Sequence, residues 1–257
     1  MRLTISRWTV ASLASATLAL FATAGCHRNT AAGVPNVRTL PPAASAPAYK
    51  PPPKPTTEIP AGGVSAEDLD FVEMHKPIAS QTGNATWYAM SQTGHKAADG
   101  MTYDNSSMTA AHRTLPLGSL IKVTNLKTQE SAVVRITDRG PFVEERVLDL
   151  TVAAARAAGI YRAGWAPVRI DVYSTPKPIS IGGRWCVQIG PFLSETEALR
   201  MKAALQKDYK DAQVNEFSGE KNYWVRIRPL GDNRKTAEYI ASHLHPVEGR
   251  AYLTRLD

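Results

Sequence analysis

The run "AVVRITDRGPF", Ala132 to Phe142, ends a strand-like pattern on an aspartate and turns at once. Period-two alternation puts Val134, Ile136 and Asp138 on one strand face and sends Arg139 to the other. Two of those three face residues are apolar, so the Asp138 carboxyl is expected to be partly desolvated. Desolvation raises a carboxyl pKa and keeps a proton available, which suits general acid–base work. The other reading is a turn aspartate that caps "DRGP", a place Asp takes readily. His112, in "AAHRTLP", is the second candidate, as a group that orients Asp138 or a substrate. A lone histidine also commonly serves a structural role. Two cysteines and scattered histidines make no ligand set, so neither a metal nor a cofactor is expected.

These side chains need a scaffold. From residue 83 to about residue 174, strand signals dominate: "ATWYAM", "SLIKVTN", "AVVRITD", "RVLDL" and "APVRIDVY" are short, β-branched or aromatic, and separated by turn residues. One helix interrupts them, "DLTVAAARAAG", with Thr151 as N-cap and Gly159 as its stop. Many short strands with one helix suggest a small barrel. After the linker "YSTPKPISIGG" the pattern reads strand, helix, strand, strand, helix, strand. Ser194 and Glu197 offer a capping box for the first of these helices. Its apolar stripe is Ala198, Met201 and Leu205, and that of the second is Ala237, Ile240 and Leu244. Two β-α-β halves make a four-stranded sheet with helices. Cys186, in "RWCVQIG", reads as a small buried side chain. Ahead of the barrel, "VSAEDLDFVEMHKPIAS" is expected to hold a short helix with Leu69, Val72 and Met74 as its apolar contacts.

The N-terminus speaks to compartment. Arg2 and Arg7 precede the apolar run "WTVASLASATLALFATAG", which stops at Cys26, the layout of an export signal. "ATAGC" resembles a bacterial lipobox, in which the cysteine is lipidated and becomes the new N-terminus; Thr23 departs from its usual leucine. From residue 27 to about residue 63 the chain is rich in Pro, Ala and Thr, which reads as an extended stalk. The formal net charge of +7 favours an anionic neighbour such as a membrane surface or cell-wall polymer. Nucleic acid is disfavoured, because the chain carries neither metal-finger spacing nor a Lys/Arg run.

The runs "ATWYA", "MTAAHRTLPLGSLIKVTNL", "VVRITDRGPF" and "RVLDLTVAAA" resemble the double-psi β-barrel of the rare lipoprotein A (RlpA) family. The segment from Trp185 to Leu256, with "CVQIGPF" and "YWVRIRPL", resembles a SPOR domain. The resemblance implies a two-domain protein: a six-stranded double-psi β-barrel, then an α+β SPOR domain (βαββαβ), joined by linkers. The implied division is signal peptide 1–25, lipidated N-terminus and Pro-rich linker 26–80, barrel 81–174, linker 175–183 and SPOR domain 184–257.

It also implies an endolytic lytic transglycosylase acting on peptidoglycan strands that lack stem peptides. Such an enzyme would be held to a membrane through lipid on Cys26, facing the periplasm or cell wall and enriched at the division septum. The reaction uses no water. An acid protonates the leaving oxygen, and the 6-hydroxyl of the same sugar attacks the anomeric carbon to give a 1,6-anhydro end. Ordinary glycosidases need two carboxyl groups. Here the nucleophile belongs to the substrate, so one carboxyl group can act first as acid and then as base. The residues this assigns are Asp138 and His112 as catalytic. Trp87, Tyr88, Tyr103, Arg139, Trp185 and Tyr223 are assigned to substrate, the aromatic rings as surfaces for sugar faces. Trp224 cannot share a groove with Tyr223, because neighbours on a strand point to opposite faces. One position departs from the family pattern. "AADGMTYD" carries Met101 where the family has a glutamate, eleven residues before His112. A thioether cannot transfer a proton. A non-catalytic glycan-binding lipoprotein, or an expansin-like wall-loosening protein, is therefore the alternative.

Overall fold

The computed structural model of the protein describes residues 62–88, 93–218 and 222–257. The expected signal peptide, Cys26 and most of the Pro-rich stalk lie outside the described residues. The described chain opens with helix α1, Ala66–Met74, whose N-cap Ser65 and Asp68 form a reciprocal capping box. Of its expected apolar contacts only Val72 is buried; Leu69 and Met74 face solvent. The helix is fixed instead by charge. Asp68 takes two hydrogen bonds from the buried guanidinium of Arg135, at 2.5 and 3.2 Å.

Six strands follow: β1 Ala79–Trp87, β2 Thr109–Ala111, β3 Leu120–Asn125, β4 Ser131–Asp138, β5 Arg146–Leu150 and β6 Ala166–Ser174. They close a barrel in the order β1-β5-β2-β4-β3-β6. The β1–β5 and β2–β4 pairs are parallel and the rest antiparallel. Closure leaves no free sheet edge in the barrel. Its core is the inward face of alternating strands, with Ile121, Val134, Ile136, Leu148, Leu150 and Ile170 fully or almost fully buried. Each such side chain contributes about 1.5–3 kcal/mol relative to exposure. Helix α2, Val152–Ala157, sits between β5 and β6 with Thr151 as its N-cap, as its sequence predicts.

Two strands differ from the sequence expectation. β1 begins at Ala79, well before "ATWYAM", because polar residues from Ser80 to Asn84 pair in register along β6. β2 is three residues long and had no periodic signal at all. It exists because β4 and β5 flank it on both sides.

The second sheet comprises β7 Trp185–Phe192, β8 Gln213–Ser218, β9 Tyr223–Arg228 and β10 Arg250–Arg255, in the antiparallel order β10-β7-β9-β8. Helices α3, Glu195–Asp208, and α4, Arg234–His243, pack on it. The predicted stripes hold: Ala198, Leu205, Ala237 and Ile240 are buried, and Met201 and Leu244 pack against them. Only half of the predicted capping box forms. Ser194 accepts from the Glu197 N–H, while the Glu197 carboxylate pairs with Arg200. Cys186 is buried and free, and burial pushes its thiol up to about 11.

The two sheets also touch. The Arg255 N–H donates to the Arg113 carbonyl, and the Leu117 N–H to the Asp257 carbonyl. Phe142, just past β4, meets the rings of Trp224 and Tyr252 at 5.6 and 5.8 Å between centroids. Glu144 pairs with Arg250 at 2.6 Å.

Candidate active site

β4 does not reach Asp138 as a regular strand. Its ladder to β2 pairs Ala110 with Ile136 and Ala111 with Asp138, so Thr137 is the extra residue of a bulge. A bulge bends a strand and re-aims the side chain that follows. The chain then turns through Gly140 at φ 143°, a conformation that favours glycine.

Asp138 emerges half-buried, with three donors on its carboxylate. Its Oδ1 accepts from the backbone N–H groups of Ala98 and Arg139, at 3.0 and 2.8 Å. Its Oδ2 accepts from the Tyr88 hydroxyl at 3.1 Å. Tyr88 is thus a hydrogen-bond donor to the carboxylate. Burial, then the Asp138 charge, holds its phenol well above the usual range. The Tyr88 ring meets Tyr103 edge-on, at 4.8 Å between centroids.

The loop from Thr93 to Ser107 lies against this end of β4. The Asp99 N–H donates to the Thr137 carbonyl at 3.1 Å, and the Met101 N–H to Asp99 Oδ1 at 2.9 Å. A cavity of about 220 Å³ opens beside them, with Asp99, Met101, Tyr103, Asp104, Thr109 and Thr137 among its walls. Asp99 Oδ2 is buried there without a hydrogen-bond partner among the described residues. Burial raises the Asp99 carboxyl, the nearby Asp138 adds to this, and the Met101 N–H opposes it. Met101 itself is 55% exposed.

His112 sits one residue past β2 and is 5% exposed. Its Nδ1 accepts from the N–H groups of Thr114 and Leu115 at 3.1 and 2.9 Å. The neutral ring therefore carries its proton on Nε2, which lies 2.5 Å from Gln81 Nε2, so the amide accepts that proton only with its oxygen turned into the nitrogen's place. Burial, followed by Arg113 and Arg139, lowers the imidazole to about 3. The histidine thus shapes the "AAHRTLP" loop, and its own N–H donates to the Asp138 carbonyl at 3.1 Å. It reaches Asp138 through backbone, and its ring is turned to other partners.

The remaining residues assigned to substrate divide. Trp87 packs against the barrel core and Tyr161, at 4.8 Å between centroids. Tyr103 is buried at the cavity wall, with its hydroxyl on Asn105. The Arg139 guanidinium is spent away from the Asp138 carboxylate, and the bulge at Thr137 means that strict strand alternation is not what sends it there. It donates to the carbonyls of His112, Leu115 and Asp257. Trp185 cannot offer a sugar a face: it is 1% exposed, its N–H is spent on the Gly182 carbonyl, and Arg234 and Arg255 lie over its ring. The sequence places it in a strand, where an aromatic ring is more often core, and here packing decides that way. Tyr223 is half-buried against the second core, while Trp224 turns toward Phe142. Asp99 is a further residue of this site, and neither periodicity nor spacing in the sequence gives it a role. Its signal, a buried oxygen without a partner, exists only in three dimensions.

Residues 80–170 match the lytic transglycolase model of the double-psi barrel, and residues 176–251 match the SPOR domain model. A relative from Vibrio cholerae serotype O1, "Endolytic peptidoglycan transglycosylase RlpA", is 48% identical over 99 residues, which are 38% of this chain and 38% of that protein. Proteins of the same name from Pasteurella multocida and Neisseria meningitidis serogroup A are 34% and 36% identical. Those matches take in 68% and 62% of this chain, and 63% and 69% of theirs. This chain thus spans little over a third of the Vibrio relative and under two thirds of the Pasteurella one. Among solved structures, apo-Clavibacter michiganensis expansin is 18% identical, with a TM-score of 0.30 over 69% of this chain and 90% of that one. With both models matched in order along a closed barrel and a four-stranded sheet, and with the Neisseria relative matched over 69% of its length at 36% identity, the chain belongs to the RlpA family.

Proposed function

We propose that this chain is an endolytic peptidoglycan transglycosylase that cuts glycan strands lacking stem peptides and leaves 1,6-anhydro ends. The observation that carries the reading is Asp138: a strand-end carboxylate on the transglycolase barrel, oriented by Tyr88 and two backbone N–H groups, and next in sequence to Thr137 of the cavity wall. Fixed acceptor geometry of this kind pre-organises a carboxyl group for proton transfer. In the reaction the bond between the anomeric carbon and the leaving oxygen breaks as that oxygen takes a proton. The 6-hydroxyl oxygen bonds to the anomeric carbon, and its proton passes to the enzyme. Asp138 is the group at which these protons are exchanged, and His112 supports it by holding the neighbouring loop. Tyr103 and Asp104 at the cavity wall are candidates for sugar contact, together with Met101.

The proposal extends to the rest of the chain. Residues 1–25 act as an export signal, lipid on Cys26 holds the protein to a membrane, and the Pro-rich stretch to about residue 63 spaces it from the folded part, in which α1 and the start of β1 precede residue 81. Residues 184–257 would direct it to denuded glycan at the septum, with no nucleic acid involved.

A second reading has one observation in its favour. Met101, where the family pattern has a glutamate, is exposed at the cavity. A protein that binds denuded glycan without cutting it is therefore the competitor. Incubating the purified protein with peptide-free strands and searching for 1,6-anhydro ends by mass spectrometry decides between them. Product from the parent and none from a folded Asp138→Asn variant supports catalysis. Glycan binding without product supports the competitor.

A further inference from the structure

We propose that the second sheet is part of the catalytic apparatus: Trp224, Arg250 and Tyr252 hold the loop that follows Asp138, and through it fix the Arg139 N–H that orients the Asp138 carboxylate. The inference rests on the transglycosylase reading for its kinetic consequence but not for the bracing itself.

The loop in question, residues 139–145, joins β4 to β5 and needs outside support. Among the described residues, no main-chain hydrogen bond to another main-chain group starts or ends in it. It passes at once through Gly140 at φ 143°, where the backbone is least restrained. Yet its first N–H, that of Arg139, is one of the three donors on the Asp138 carboxylate. A donor at the root of an unpaired loop keeps its aim only if the loop itself is held.

The second sheet supplies the hold. Val187, Ile189, Val225 and Ile227 face the core under α3 and α4. Alternation sends Trp224, Arg250 and Tyr252 to the opposite face, where Tyr252 pairs in register with Gln188. Gln188 and Thr254 share that face and are almost fully buried, so it is covered rather than open to solvent. The loop meets this face at three points. Arg113 donates to the Pro141 carbonyl at 2.8 Å and carries its guanidinium over the Tyr252 ring, 5.6 Å from the centroid. Phe142 lies against both Trp224 and Tyr252. Glu144 pairs with Arg250. The Arg139 guanidinium adds a further tie, to the Asp257 carbonyl. Tyr252 is central to the set, because it meets both Arg113 and Phe142. These are positioning residues, which act on Asp138 through the loop.

The test is Tyr252→Ala against Tyr252→Phe in the full chain, since phenylalanine keeps the ring that meets Phe142 and Arg113. NMR reads the hydrogen exchange of the Arg139 amide, and product assays read kcat and KM. Tyr252→Ala should speed that exchange about tenfold and lower kcat about tenfold with KM little changed, while Tyr252→Phe should match the parent. Glu144→Arg and Arg250→Glu should each speed the exchange about threefold, and the two together should return it to the parent rate. This charge swap serves if Tyr252→Ala does not fold. Unchanged Arg139 exchange in Tyr252→Ala, or a double swap no slower than its single variants, overturns the bracing. Faster exchange with a parental kcat overturns the catalytic role, and so does a rise in KM alone, which would make this face a glycan-binding surface instead. A parent that makes no product sinks the transglycosylase reading, while the exchange of the Arg139 amide still decides the bracing.

Discussion

Arg139, the residue after Asp138, donates from Nη2 to the carbonyl of Asp257 at 2.7 Å, across 118 positions of sequence. The same guanidinium holds the His112 and Leu115 carbonyls at 3.0 and 2.7 Å. One side chain therefore joins the strand end that carries Asp138, the His112 loop, and the end of the second sheet. Arg139→Ala leaves three carbonyls short of a donor. We expect a loss of about 3 kcal/mol, given about 1–3 kcal/mol for each unsatisfied buried group and partial replacement by water. Urea denaturation of parent and variant measures it. Arg139→Lys should recover only part, because an ammonium lacks the planar fork.

Tyr88→Phe removes the donor to Asp138 Oδ2 and leaves the ring against Tyr103. Hydrogen bonds to charged groups are worth about 1.5–3 kcal/mol. The anhydro-product rate should fall at least about tenfold, with a melting temperature close to that of the parent. Equal rates would mean that Asp138 is oriented by the backbone alone.

The buried neutral His112 predicts an acid-sensitive window. Its folded pKa, about 3, lies below the ordinary value of 6.5. Between those values the unfolded chain binds the proton and the folded one does not, so stability rises with pH through this range. It is complete above about 6.5 and falls progressively as the pH drops toward 3. Asp257, whose carboxyl is held below the usual range despite burial by Arg255, the Arg184 N–H and Lys177, adds a further loss below the ordinary carboxylate pKa. His112→Asn supplies an acceptor without the titration. Its melting temperature should be lower than that of the parent at pH 7, and the gap should narrow toward pH 4.

Met101→Glu puts a carboxylate at an exposed position, so stability should change by no more than about 0.5 kcal/mol. If the missing glutamate limits this protein, the variant should form more anhydro product than the parent, and a stable variant with no gain over an active parent would mean that Asp138 alone carries the chemistry.

Cys26→Ser should move the protein from the membrane fraction to the soluble one, because the proposed lipid is the only anchor assigned to it. Retention in the membrane after a high-salt wash would remove the lipoprotein assignment.

How much of this was readable beforehand follows from how local each signal is. β3, β4, β5 and β6 announce themselves by alternating β-branched residues, and α2, α3 and α4 by caps and apolar stripes. Asp138 was readable as a strand-end carboxyl for the same reason. The motif runs around His112 and Asp138 were enough to point to the family, and to show that Met101 breaks its pattern.

What lay beyond the sequence depends on partners distant in the chain. Polar Ser80 to Asn84 are a strand because β6 pairs with them, and Thr109–Ala111 are one because β4 and β5 enclose them. The Thr137 bulge is a register shift between two strands, a relation that neither strand carries alone. Trp185 reads as an available aromatic ring until two guanidinium groups and a sheet cover it. Asp99 looks like an ordinary loop aspartate until one of its oxygens is buried beside Asp138. Periodicity and capping act over a few residues, so the sequence by itself determined the elements and the main carboxyl. Burial and hydrogen-bond satisfaction are set by whichever atoms arrive from elsewhere, so only the tertiary structure decided which side chains surround that carboxyl and what each has left to offer.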